Sequence, residues 1–418
     1  MTKYNILSSL FLFVFLFTGC TPQLSEPTPS QSAPPTAVSS TPSPTPTHSP
    51  TPTPDPVQEQ LDSMTLGQKV GQLLVAGMEG YTPGEDALSA IQTYQVGGII
   101  LFSRNVESAQ QLAQLTNALK EANGEYIPLL LSIDQEGGRV SRMPPEVASL
   151  PAPLVFGQTG DATLVTRFGR VLGAECAAFG LNTDYAPSLD IWSNPENTVI
   201  GDRAFGSSAQ TVAQLGTAAW QGVADRGVVP VVKHFPGHGD TETDSHLGLP
   251  VVEKSLAELK EEELLPFLTA IEQQVPAVMV AHILERGIDE EYPASLSHKV
   301  VTGLLREELG FQGVVCTDDL TMGAISQTYG MDEAAVLALE AGCDLLLVCH
   351  GADNLSAAYT GILSAVEEGR LTEARLDESL YRILTLKRTY HFTNDPVPAP
   401  DVDTLNAQIS SLLDQLPR

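Results

Sequence analysis

Cations are scarce in this chain: 22 lysines and arginines stand against 51 aspartates and glutamates over 418 residues, a formal net charge of −29. A surface of that sign repels phosphate backbones and argues against nucleic acid as a partner. Cysteine is also rare, with five in all and no CxxC pair. Cys343 and Cys349 share one apolar run, and as a strand that run holds them about 20 Å apart, too far for a bridge. With Cys176 and Cys316 they read as small buried apolar residues. There is no GxxxxGK[ST] motif, which removes the usual phosphate cradle. The apolar run at 6–17 is too short to cross a bilayer.

What is present begins with that run. Lys3 precedes it, and Thr18, Gly19 and Cys20 end it, the layout of an export signal over residues 1–20. Small residues before a cysteine resemble the bacterial lipoprotein signal, in which that cysteine carries the lipid; Phe17 stands where leucine is usual, so a plain secretory signal stays open. Residues 21–56 are nearly all Pro, Thr and Ser. They offer little apolar area to offset the entropy of ordering, and read as an extended stalk. A lipid at Cys20, a stalk and a globular body imply a protein held at the outer face of a membrane, or secreted.

The body, residues 57–395 with a docking helix at 396–418, alternates short apolar runs with segments of helical period. Eight runs stand out: 70–77, 97–102, 128–134, 181–187, 228–235, 276–283, 313–319 and 343–349. Eight strands joined by helices predict an α/β fold, a (β/α)8 barrel. Ser255 and Glu258 form a capping box ahead of a helix expected to run to Ile271, with Glu261, Glu262 and Glu263 on its wet face. Leu376, Leu380, Ile383 and Leu384 keep helical spacing, as do Leu405, Ile409, Leu412, Leu413 and Leu416.

Barrel enzymes build their sites where the strands end. Here the ends carry Asp134, Asp184, Lys233, His234, His282, Asp318 or Asp319, and His350. The fifth run continues as KHFPGHGDTETDSHLGLP. Its histidines and aspartates could ligate a metal, but no two histidines have the one-residue spacing of strand-borne metal sites, and Gly237 and Gly239 flank His238, leaving it poorly held. In Asp244-Ser245-His246 an extended backbone sets the first and third side chains on one side, so the carboxylate can orient and tune the imidazole for proton transfer. A turn with a solvated histidine fits those three residues equally well. Neighbouring strand residues point to opposite sides, so only one of Asp318 and Asp319 should face the mouth, the other capping a helix from about Leu320. A carboxylate nucleophile with a separate proton donor describes retaining glycoside hydrolysis.

Four separated motifs, KHFPGHG with DTET and DSH, DQEGGRVSRMP (134–144), IGDRAFG (200–206) and FQGVVCTDDLTMGA (311–324), resemble the β-N-acetylglucosaminidases of glycoside hydrolase family 3. The resemblance runs from about Met64 to about Tyr390. It implies a retaining mechanism on a (β/α)8 barrel with no cofactor and no metal. By motif position Asp318 would be the nucleophile, His246 the acid and base, and Asp244 its orienting partner. Asp134, Arg142, Arg203, Lys233 and His234 would hold the sugar, while His238 and Asp240 match the loop without a chemical role and His282 and His350 are left at the rim. Gly237, Gly239 and Gly248 are expected to make the loop flexible enough to bring His246 over the bond being cleaved. Related β-glucosidases take their acid/base from a second domain; none is expected after residue 418, and the Asp–His pair lies within the barrel, which favours N-acetylglucosamine over glucose. The implied partners are terminal N-acetylglucosaminides, including cell-wall fragments, and a membrane through Cys20. A phosphorylase or β-glucosidase of the same family, a non-catalytic sugar-binding lipoprotein and a metal-dependent barrel hydrolase remain as alternatives.

Overall fold

The computed structural model describes residues 55–241, 245 and 248–417; Cys20, nearly all of the stalk, Asp244 and His246 lie outside the described residues. In chain order the strands are β1 (Leu74–Ala76), β2 (Gly98–Leu101), β3 (Leu130–Ile133), β4 (Thr183–Asp184), β5 (Val229–Phe235), β6 (Val251–Ser255), β7 (Ala277–Val280), β8 (Leu284–Gly287), β9 (Val314–Asp319) and β10 (Leu345–Val348). Eight of them close into a parallel barrel in the order β1-β2-β3-β4-β5-β7-β9-β10, and each lies inside one of the eight apolar runs. The (β/α)8 barrel expected from the sequence is therefore the fold. The barrel strands are almost entirely buried, because helices cover the outside while side chains fill the inside.

The exceptions have local causes. The run at 70–77 is divided: Thr65 and Gln68 form a capping box that starts a helix, Leu66–Gln72, so the strand is left only Leu74–Ala76. The segment after Ser255 is two helices, Leu256–Glu261 and Leu265–Glu272, the second opened by Pro266, whose missing N–H suits a helix start. That break turns Glu263 inward, to 3 % exposure, against the expectation of a wet acidic face. β6 and β8 form a separate two-stranded parallel sheet outside the barrel ladder, a pairing not anticipated from the sequence.

Two irregularities in the ladder matter for the site. Between Val232 and Phe235 the pairing of β5 to β7 shifts, three steps on β5 matching two on β7; Lys233 and His234 lie there, and the peptide between them is cis. Between Cys316 and Asp319, β9 likewise spends three steps against two of β10. Such bulges re-aim side chains, and they sit at the rim of this barrel.

On the far side of the chain, Leu376, Leu380, Ile383 and Leu384 are buried along the helix Glu373–Thr389. The last helix, Val402–Leu413, packs Leu405, Ile409 and Leu412 against the helix Ala162–Ala178. Full burial of such side chains is worth about 2 kcal/mol each. Asn406 adds a bond from the Ala148 amide to its Oδ1 at 2.7 Å. Cys176, Cys316, Cys343 and Cys349 are buried thiols.

Candidate active site

A cavity of about 400 Å3 opens at the C-terminal rim. Asp134, Arg142, Arg203, Lys233, His234 and Asp318 all line it, together with His238, Ser245, Asp319 and His350. The residues predicted to hold the sugar and the predicted nucleophile thus converge on one space.

The cationic wall is organised by a residue the sequence reading did not single out. Glu136, 1 % exposed, receives Lys233 Nζ at 2.7 Å and both Nε and Nη2 of Arg203 at 2.7 Å. Burial by itself would push the Glu136 carboxyl up, but Arg203 and Lys233 outweigh it and hold the group well below the usual carboxylate range. Lys233 also donates to Asp134 Oδ1 at 2.5 Å, and the second Asp134 oxygen has no hydrogen bond among the described residues. Glu136 stands two residues after Asp134, so strand-like alternation sends both side chains the same way; that spacing was the available signal.

Asp190 is the second such residue. It is fully buried, and it accepts His234 Nδ1–H at 2.6 Å and the His238 amide at 2.7 Å. A carboxylate only accepts, so His234 keeps its proton on Nδ1 and turns Nε2 toward the cavity, 3.4 Å from Arg203 Nη2. Burial raises Asp190, yet His234 draws it below its ordinary value. A single aspartate in SLDIW carries no pattern that separates it from a surface aspartate.

His238 is firmly held, contrary to the reading from its flanking glycines. It is 2 % exposed, its Nδ1 lies 2.6 Å from Thr241 Oγ1, and its ring meets His234 edge-on at 5.8 Å. Burial first, and then His234 beside it, push its pKa down to about 4. Gly237 and Gly239 are both places of close approach. A Cβ on Gly239 would stand 1.6 Å from the Ile191 carbonyl oxygen, and one on Gly237, at φ +139°, would stand 2.9 Å from Glu263 Cβ. Of the three, Gly248 alone has nothing within 4 Å of an added Cβ among the described residues.

Both members of the Asp318–Asp319 pair face the mouth, because the β9 bulge breaks the alternation that would send them apart. Their environments differ. Asp319 is spent on structure: Oδ1 accepts the amides of Thr321 and Cys349 at 3.0 Å each, and Oδ2 accepts Thr321 Oγ1 at 2.6 Å. It caps a turn rather than a helix, and the helix starts at Gly323, not Leu320. Asp318 accepts only the Asp319 amide, at 2.8 Å, among the described residues. Burial opposes its charge, but His282 and then His234 hold its carboxyl below the ordinary value. A carboxylate held below its ordinary value and facing a polar cavity can attack an electrophilic carbon.

His282 lies just past β7 and is fully buried, with Nδ1 2.7 Å from Ser295 Oγ and Nε2 2.9 Å from the Asp319 carbonyl. It supports the end of β9 from behind. His350 stands at the rim against Phe102, ring centroids 5.5 Å apart. Asp184 is below the cavity, where Oδ1 accepts the Gln135 amide at 2.9 Å. Gln135 in turn joins Glu175 at 2.7 Å and accepts the Arg142 amide at 2.9 Å. Asp240 points away from the cavity lining to Lys254, at 3.0 Å.

A parallel barrel whose rim presents an ionised carboxylate opposite a ring of charged hydrogen-bonding groups defines the class, a barrel glycoside hydrolase. The chain belongs to glycosyl hydrolase family 3: the family's N-terminal domain matches residues 65–386. It is similar to β-hexosaminidase A of Pseudoalteromonas piscicida, 34 % identical over 78 % of this chain and 61 % of that protein, so it spans less than two thirds of that relative. It is also 34 % identical to a β-hexosaminidase of Nitrosomonas eutropha, over 75 % of this chain and 92 % of the relative. Among solved structures, the family 3 β-N-acetylglucosaminidase of Paenibacillus sp. str. FPU-7 superposes with a TM-score of 0.81 at 44 % identity, covering 85 % of this chain and 69 % of that one.

Proposed function

We propose that the protein is a retaining exo-β-N-acetylhexosaminidase that hydrolyses terminal N-acetylglucosaminides, peptidoglycan fragments among them, through a covalent glycosyl–enzyme on Asp318. The observation that carries this reading is the contrast within the Asp318–Asp319 pair, one carboxylate consumed by the Thr321 and Cys349 amides and the other held below its ordinary value and facing the cavity. The names of the relatives support the sugar. The sugar's hydroxyls would be gripped by Asp134, Lys233, Arg203, Arg142 and His234, charged hydrogen bonds being worth roughly 1.5–3 kcal/mol each. Asp318 attacks the anomeric carbon as His246 gives its proton to the departing oxygen. Asp244 holds the imidazole through one nitrogen, and His246 then takes the proton of the incoming water.

The test is release of p-nitrophenol from its N-acetyl-β-glucosaminide, with product analysis in the presence and absence of phosphate. Asp318→Ala and His246→Ala should abolish or greatly reduce turnover; full activity in Asp318→Ala sinks the assignment. A glycosyl phosphate product, formed only with phosphate, favours the phosphorylase. The signal-like start and Cys20 support a location at the outer membrane face, lipid-anchored. Incorporation of labelled fatty acid that survives Cys20→Ala would remove the anchor from that cysteine.

A further inference from the structure

The loop that carries Asp244 and His246 leaves the barrel after Phe235 and returns as β6, and both of its ends meet the same buried group of charges. At the outgoing end Gly237 packs on the Glu263 side chain and Asp240 pairs with Lys254 at 3.0 Å. At the returning end is Lys254 itself, on β6, where it also pairs with buried Glu263 and reaches Glu262 at 3.7 Å. Under this pair lies Glu285 on β8, 1 % exposed, with neither carboxylate oxygen hydrogen-bonded among the described residues. The charged groups that face Glu285 are Glu263, Lys254 and Asp240.

One cation therefore ties the outgoing arm of the loop, at Asp240, to β6, where the loop has returned, and both to Glu263 between the helices Leu256–Glu261 and Leu265–Glu272. We propose that Lys254 is a positioning residue for proton transfer: by bridging Asp240 and Glu263 it fixes the span between the two ends of the loop, and so the reach of His246 over the departing oxygen. Glu285 bears on the arrangement because an ionised carboxylate there would compete for the same ammonium. Burial, and then Glu263, push Glu285 up to about 8, which keeps it neutral at pH 7 and leaves Lys254 to Asp240 and Glu263.

The proposal rests on the assignment of His246 as the acid, and leaving-group dependence separates the two ideas. An aglycone of low pKa, such as 2,4-dinitrophenol, departs without a proton, whereas methanol needs one. In Lys254→Met and Asp240→Asn, kcat/KM on methyl N-acetyl-β-glucosaminide should fall roughly tenfold to hundredfold, while on the 2,4-dinitrophenyl glycoside it should change by less than about threefold. The double variant should lose no more than the worse single one, since both break the Lys254–Asp240 link. Equal losses on both substrates, or no loss on either, overturn the role of Lys254. If His246→Ala itself shows no leaving-group dependence, the acid assignment fails instead. Asp240→Asn leaves the Lys254–Glu263 pair in place, so it reports on the link even if Lys254→Met folds poorly.

Discussion

Lys233 and Glu136 meet at 2.7 Å with 2 % and 1 % of their side chains exposed, a buried ion pair at the floor of a sugar-sized cavity. Its third member, Arg203, is 12 % exposed and looks both ways, toward Glu136 and toward His234. The pair is thus the foundation on which the cationic wall stands.

Removing Glu136 should cost more than removing any group that faces the ligand. Glu136→Ala would leave Lys233 and Arg203 without their shared carboxylate, and breaking a buried pair from one side costs about 3–5 kcal/mol. The carboxyl lies below its ordinary value when folded, so its contribution is complete above the unfolded pKa and is lost as pH falls through the folded one. Urea unfolding should show the variant several kcal/mol less stable at pH 7 and the difference shrinking at low pH. An unchanged midpoint with unchanged slope would refute this.

Glu175 should do the reverse. It is buried, its one side-chain hydrogen bond among the described residues comes from the Gln135 amide, and burial pushes it up to about 8. Here the folded state binds the extra proton, so stability falls as pH rises from the ordinary carboxylate range to about 8, by up to about 1.4 kcal/mol per pH unit. Glu175→Gln keeps the shape without the titration. Its stability should decline less steeply than the parent's between pH 5 and 8 in the same urea measurement; a slope identical to the parent's would place the titration elsewhere.

Gly239→Ala and Gly248→Ala should part company. The first forces a methyl into the Ile191 carbonyl and disturbs the His238 amide bond to Asp190, a strain expected to cost about 1–3 kcal/mol and to depress kcat. The second meets nothing within 4 Å among the described residues and should stay within about 0.5 kcal/mol of the parent. Thermal unfolding with steady-state kinetics decides it, and equal tolerance at both positions would restore the hinge role expected of Gly239.

The barrel was legible because its strands are buried on both faces and so appear as uninterrupted apolar runs, and the rim was legible because charged residues end those runs. Asp134, Arg142, Arg203, Lys233, His234 and Asp318 do converge on one cavity. What escaped were the buried carboxylates, Glu136 and Asp190: a sequence does not distinguish an acid buried beside its cation from one in water. The two bulges escaped for a related reason. They depend on how β5 and β9 align with their neighbours, not on their own residues, and they put Lys233 beside His234 and Asp318 beside Asp319 where alternation would have separated them. Glu263 was misread because a proline two residues before Leu268 restarts the helix and rotates the acidic run.

The small sheet of β6 and β8 stands outside the barrel's own ladder, which passes from β5 straight to β7. The excursion that leaves the barrel after Phe235 and returns through β6 therefore adds no strand to that ladder. A change of length within it need not break the pairing of β5 with β7, but it would have to keep the anchors at both ends, His238 on Asp190 and Asp240 on Lys254.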